Sequence, residues 1–148
     1  MKEKQRKGFT LLFATLIVSL ILTIGLSILS ILLKESILVS TIRDSEFAFY
    51  AADSGGECAL YWDRTFSIFD SSPGVVRCND SDSLVNNFSN GGWNVSEFTI
   101  EFLPQPYCSV VSVQKNSSTG ETVIISRGYN TCNDQNPRKV ERAIRISY

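Results

Sequence analysis

The sequence predicts an α+β protein. One long N-terminal α-helix, its inner half spanning a membrane, should lay its outer half on a small antiparallel sheet of about four strands. Three observations carry this expectation. Phe9 to Leu33 is a run of 25 residues without a charge. Lys34 to Arg64 contains no proline and keeps apolar residues at helical spacing. The C-terminal third changes to a period of two, the signature of strands with one buried face.

The elements follow in chain order. At about 1.5 Å per residue the uncharged run spans roughly 37 Å as a helix, enough for a ~30 Å hydrocarbon core. A secretory signal has a shorter apolar region ending in a small-x-small cleavage site, so this segment is expected to stay with the protein. Lys2, Lys4, Arg6 and Lys7 against Glu3 mark the N-terminus as cytoplasmic, and Lys34 to Tyr148 then faces outward. Helical spacing continues through Leu38, Ile42, Phe49, Ala52 and Leu60, with Glu35, Arg43, Asp44, Glu46, Asp53, Glu57 and Asp63 between them. One helix over 9–64 results, near 84 Å by the same rise, with 9–33 in the membrane. Gly55-Gly56 is its weak point, where a bend or a close backbone contact is expected.

Residues 65–94 turn to Ser, Asp, Asn and Gly and read as loop, with a short strand at Val75–Cys78. In the run that follows, Phe98, Ile100 and Phe102 alternate with Glu97, Thr99 and Glu101. Cys108–Gln114 and Thr122–Arg127 read as a hairpin through Asn116–Gly120. The last run sets Val140, Ile144, Ile146 and Tyr148 on one face. Four strands with one apolar face need a cover, and the outer half of the helix supplies it.

Composition excludes several functions. Residues 1–8 hold four cations and one anion, leaving ten cations against fourteen anions in the rest, a net of −4. That is a poor footprint for nucleic acid. With no histidine and no C-x-x-C pair, histidine triads and zinc sites are absent, and no phosphate-binding glycine loop occurs. No catalytic constellation, metal site or cofactor is expected. Asn79–Ser83 faintly resembles the start of a calcium loop but lacks its glycine and closing glutamate, so a polar turn is expected there. Asn79, Asn87, Asn94 and Asn116 begin N-x-S triplets that mark a polar surface. Thr15, Ser19, Thr23 and Ser27 recur every four residues in the apolar run. Such hydroxyls either bond back to their own helix or form a low stripe against other helices.

Cys58, Cys78, Cys108 and Cys132 all lie on the outward side, an even count that suggests two disulfides with three possible connectivities. Pairing Gln114 with Glu121 around the turn sets Cys108 opposite Arg127, five residues before Cys132. Cys58 and Cys78 are separated by the polar loop that must return to the sheet. The expected bonds are therefore Cys58–Cys78 and Cys108–Cys132.

Read together, the basic leader, the Gly8/Phe9 border, the start Phe9-Thr10-Leu11-Leu12, the long helix and the small sheet resemble the type IV pilin superfamily. Arg43-Asp44-Ser45-Glu46-Phe47-Ala48-Phe49-Tyr50-Ala51-Ala52-Asp53 is similar to the R-D-x-x-x-A-F-x-A-A-E segment of PilX-type minor pilins. The resemblance implies a cytoplasmic leader, 1–8, removed by a prepilin peptidase between Gly8 and Phe9, with methylation of the new N-terminus at Phe9. It implies a filament core over 9–33 and an outer domain over 65–148. Implied partners are other pilins through the N-terminal helix, the peptidase and an inner-membrane assembly platform. The implied location is the cytoplasmic membrane, then a surface filament or the envelope. The family usually carries glutamate where this chain has Phe13, an absence shared with tip pseudopilins and PilX-type minor pilins. The expected function is therefore a non-enzymatic minor pilin or pseudopilin of a type IV pilus or type II secretion-like machine, active in filament initiation, at the tip or in assembly. The alternative is a single-pass anchor carrying an extracellular ligand-binding domain outside any filament.

Overall fold

The computed structural model describes residues 6–70 and 74–148, with side chains from Phe9 onward. The leader charges Lys2, Glu3 and Lys4 and the loop residue Pro73 lie outside the described residues. Helix α1 runs from Arg6 to Phe66, followed by a single 3-10 turn at Ile68–Asp70. Seven strands follow: β1 (Val75–Cys78), β2 (Ser81–Leu84), β3 (Asn86–Asn90), β4 (Trp93–Glu101), β5 (Cys108–Asn116), β6 (Thr122–Tyr129) and β7 (Glu141–Ser147). β1 and β2 form a two-stranded hairpin, and β3-β4-β5-β6-β7 form a five-stranded antiparallel meander. The α+β class with one long apolar helix is as expected. The chain divides into two compact units, Met1–Thr41 and Ile42–Tyr148, so the outer part of α1 belongs with the strands.

β1 at Val75–Cys78 and the four strands β4 to β7 are as expected; β2 and β3 are added, because residues 81–84 and 86–90 of the segment expected as loop pair as strands. Asn79 and Asp80 both take left-handed backbone angles (φ 50° and 57°) and close β1 onto β2 in two residues. Every residue of β3 is exposed, so this edge strand shows no buried face and no alternation for periodicity to detect. The β5–β6 register also differs. Gln114 faces Val123 and Cys108 faces Tyr129, two residues from the expected pairing. The turn explains the shift. Asn116 Oδ1 accepts hydrogen bonds from the Ser118 and Thr119 amides (2.9 and 3.2 Å), and Gly120 adopts φ 74°. The loop therefore takes four residues, with Asn116 N–H bonded to the Glu121 carbonyl at 2.9 Å.

Of the residues expected on the packed face of the helix, Ala52 is buried and Leu60 packs against the core, but the other three do not. Leu38, Ile42 and Phe49 are exposed, while Ala48, Ala51, Ala52, Gly55, Gly56 and Ala59 are buried. Small residues let a helix backbone lie close to a sheet. A Cβ on Gly55 would stand 2.5 Å from Ser109 Oγ, 2.6 Å from Ser126 Oγ and 2.9 Å from Val111 Cγ2. Of the two outcomes expected at Gly55-Gly56, the close contact is the one realised, and α1 continues through it. The same face of the sheet supplies Phe98, Ile100, Val111, Val113 and Ile124. These join Val76, Cys78, Val85, Ala59 and Phe69 in one apolar core.

Two cross-links hold the margins. Cys58 is bonded to Cys78 (Cα–Cα 6.2 Å), tying α1 to β1, and Cys108 to Cys132 (Cα–Cα 5.6 Å), tying the start of β5 to the loop before β7. Bonds closing loops of this length contribute about 3 kcal/mol each on the chain-entropy account. Trp62 reinforces the first, its Nε1–H donating to the Arg77 carbonyl at 3.1 Å.

Candidate functional site

The candidate surface is the helix itself. Every residue from Phe9 to Leu33 is exposed, including Phe13 at 56%. The helix is long and apolar enough to cross a membrane. The hydroxyls of the stripe bond back to their own helix. Thr15 donates to the Leu12 carbonyl (2.9 Å), Ser19 to Leu16 (2.8 Å), Thr23 to Leu20 (2.8 Å) and Ser27 to Thr23 (2.8 Å). Each hydroxyl is thus satisfied within its own helix. Beside them Leu11, Ala14, Thr15, Val18, Ser19 and Leu22 line a shallow apolar groove.

At the border singled out in the sequence, Gly8 and Phe9 lie inside the first turns of α1, and Phe9 is 73% exposed. The described first turn has no acidic residue to cap it.

The Arg43–Asp53 segment has a plain mechanical role. Ala48, Ala51 and Ala52 are its buried members, and Ala48 and Ala52 lie against Gly128 of β6. A Cβ on Gly128 would run into the Ala48 carbonyl oxygen and the Ala52 amide nitrogen. Phe47 stacks on Tyr107 with ring centroids 5.6 Å apart, and Arg142 Nε donates to Ser45 Oγ at 2.7 Å. The alanines seat the helix, and Ser45 and Phe47 just before them fasten it to β7 and to the loop before β5.

The segment Asn79–Ser83 is a hairpin turn running into β2. Asp80 and Asp82 lie 4.0 and 3.9 Å from the Arg77 guanidinium, and no acidic cluster suited to a metal occurs among the described residues.

Sequence reasoning missed a polar cluster at the far end of the sheet. Asp63, near the end of α1, is 7% exposed. Lys115 Nζ lies 2.7 Å from Asp63 Oδ1 and 2.6 Å from Asp70 Oδ1, and the Tyr148 hydroxyl donates to Asp63 Oδ2 at 2.6 Å. The Arg64 guanidinium sits 4.2 Å above the Tyr148 ring. The only hint in the sequence was Asp63 on a helix that had been assigned a charged outer face. Its partners come from β5 and from the residue just after β7, which no local pattern connects to it.

These contacts shift two titrations. Burial lowers the Lys115 pKa, but the hydrogen bonds and charges of Asp63 and Asp70 outweigh it, and the net shift is upward. For Tyr148, burial and then the hydrogen bond to the Asp63 carboxylate push the phenol up to about 12. In both cases the folded form holds its proton more tightly than the unfolded chain. Their contribution to stability is complete below about pH 10 and is lost as pH rises through the folded values. The unfolding midpoint of the disulfide-bonded protein should therefore fall steadily from pH 10 to pH 12. Tyr148→Phe should lower the midpoint at pH 8 and flatten the alkaline slope. Parallel profiles for the two proteins would rule out the Tyr148–Asp63 bond as the cause.

Comparison with protein families, with curated proteins and with solved structures finds no match. The fold and the surface thus define a class on their own terms, an α+β domain built around the outer part of a helix whose inner part is fit to cross a membrane.

Proposed function

We propose that the chain is a minor pilin or pseudopilin, a structural subunit whose N-terminal helix packs among other pilin helices while its strand domain stands outside the membrane. One observation carries this reading. A single helix serves both as an apolar segment exposed on all sides and, further along, as the member that completes the domain core. An ordinary anchor needs no such continuity, since a flexible linker would serve it. In a filament subunit one unbroken run of helix carries both the segment that packs among neighbours and the segment that belongs to the outer domain.

The border at Gly8 fits the same reading. A peptidase that cuts there must unwind the first turns of α1, and a glycine makes that turn weaker by about 1 kcal/mol relative to alanine. The test is the mass of the protein from cells that contain a prepilin peptidase. A chain beginning at Phe9, with one added methyl group, is expected. An intact Met1 start in those cells would favour a plain anchor.

Phe13 accounts for the minor role. A glutamate at this place would offer a carboxylate to the free amine of a neighbouring subunit, and a buried amine without an anion is costly. Phe13→Glu should raise the number of copies per filament, read by quantitative immunoblot. A copy number still at trace level would mean that the outer domain sets it.

A further inference from the structure

The polar cluster borders a cleft that neither the filament reading nor the core requires. It is lined by Asp70, Asn94, Lys115, Asn116 and Ser117, with Phe69 and Thr122 at its base, and encloses about 330 Å³. The chemistry of this lining restricts what can enter. Its two charged groups, Lys115 and Asp70, are already bonded to each other, and Lys115 is also held by Asp63. An incoming anion would meet the Asp70 carboxylate, which is 54% exposed. An incoming cation would compete with an ammonium already in place. What remains is a set of neutral amide groups with capacity to spare, beside one oxygen of an already paired carboxylate. Asn116 uses its side-chain oxygen within the turn and keeps its amide hydrogens for a ligand. Asn94 spends one amide hydrogen on Ser117 Oγ at 3.4 Å, leaving its oxygen to accept. Asp70 retains one carboxylate oxygen.

We propose that this cleft binds a neutral polyhydroxylated ligand, a hexose unit of a glycan. Each sugar hydroxyl both donates and accepts, matching alternating amide donors, amide acceptors and a carboxylate oxygen. The cleft holds one such ring with room for its first linkage. With about 12 non-hydrogen atoms and the modest contribution per atom of a polar ligand, a single hexose should bind with Kd of about 1 mM. The site lies wholly in the strand domain and does not depend on whether that domain is carried on a filament.

The test uses the full-length protein in a detergent without a sugar headgroup. Amide chemical shifts of Asn94, Asn116, Ser117 and Gly120 are followed by NMR as glucose, galactose or N-acetylglucosamine is added to about 100 mM. At least one neutral sugar should shift these amides along a saturable curve, while glucosamine and sialic acid, tested as charged controls, should bind at least tenfold more weakly. Asn94→Ala, on the exposed rim, should weaken the neutral sugar about tenfold without moving the unfolding midpoint. No saturable shift with any neutral sugar overturns the proposal. So does equal binding of the charged sugars, or full affinity in a folded Asn94→Ala protein.

Discussion

Gly128→Ala is expected to cost the domain about 3 kcal/mol or more, the upper part of the range for overpacking. The added methyl group would overlap the Ala48 carbonyl oxygen and the Ala52 amide nitrogen, and would lie 2.9 Å from the Ala52 Cα. These are main-chain atoms in mid-helix, so no rotamer change can clear them. Either the helix lifts from β6 or the strand bows away, and both open the small-residue seam through Gly55. Against a typical total of 5–15 kcal/mol, this is a large share of the stability. For a unit of about 100 residues the unfolding midpoint should drop by roughly 10–20 °C. Gly25→Ala in the same helix is the control, since nothing lies within 4 Å of a Cβ there. A Gly128→Ala protein melting with the wild type would mean that the helix does not sit this close to the sheet.

On the proposed reading of the border at Gly8, Gly8→Val is expected to abolish removal of the leader. The residue lies in the first turns of α1, and cutting after it requires those turns to open and the backbone to enter an active site. A β-branched side chain stiffens the residue at χ1 and crowds the adjoining backbone. In cells with the peptidase the variant should accumulate at full length, and Gly8→Ala should still be processed. An N-terminal mass starting at Phe9 in the valine variant would remove the peptidase reading while leaving the fold untouched.

Much of the architecture was legible because its signals are local. Uncharged length announces a helix at Phe9–Leu33 long and apolar enough to cross a membrane, and alternation announces β4, where Phe98 and Ile100 are fully buried. What escaped has no local signal. β3 buries nothing, so its pairing with β4 leaves no trace in hydropathy. The hairpin register turned on one side chain, Asn116, accepting two amides and lengthening the turn by two residues. Phe49 was assigned to the packed face because it is large and apolar, yet it is 48% exposed and the alanines beside it are buried. Hydrophobic periodicity weighs size, whereas a helix seated on a strand glycine is selected for the lack of it.

By itself the sequence determined the class of the molecule: a basic start, an uncharged helix of membrane length, a continuation of that helix, and a disulfide-bearing sheet after it. Each of these depends on composition and spacing within one segment, where chain connectivity guarantees that the residues act together. The tertiary structure alone decided which helix face meets the sheet, why Gly55 and Gly128 must be glycine, and how Asp63, Asp70, Lys115 and Tyr148 come to share protons and charge. Those contacts join residues up to 85 positions apart. Their energies depend on distances of a few ångströms that only the packed fold sets.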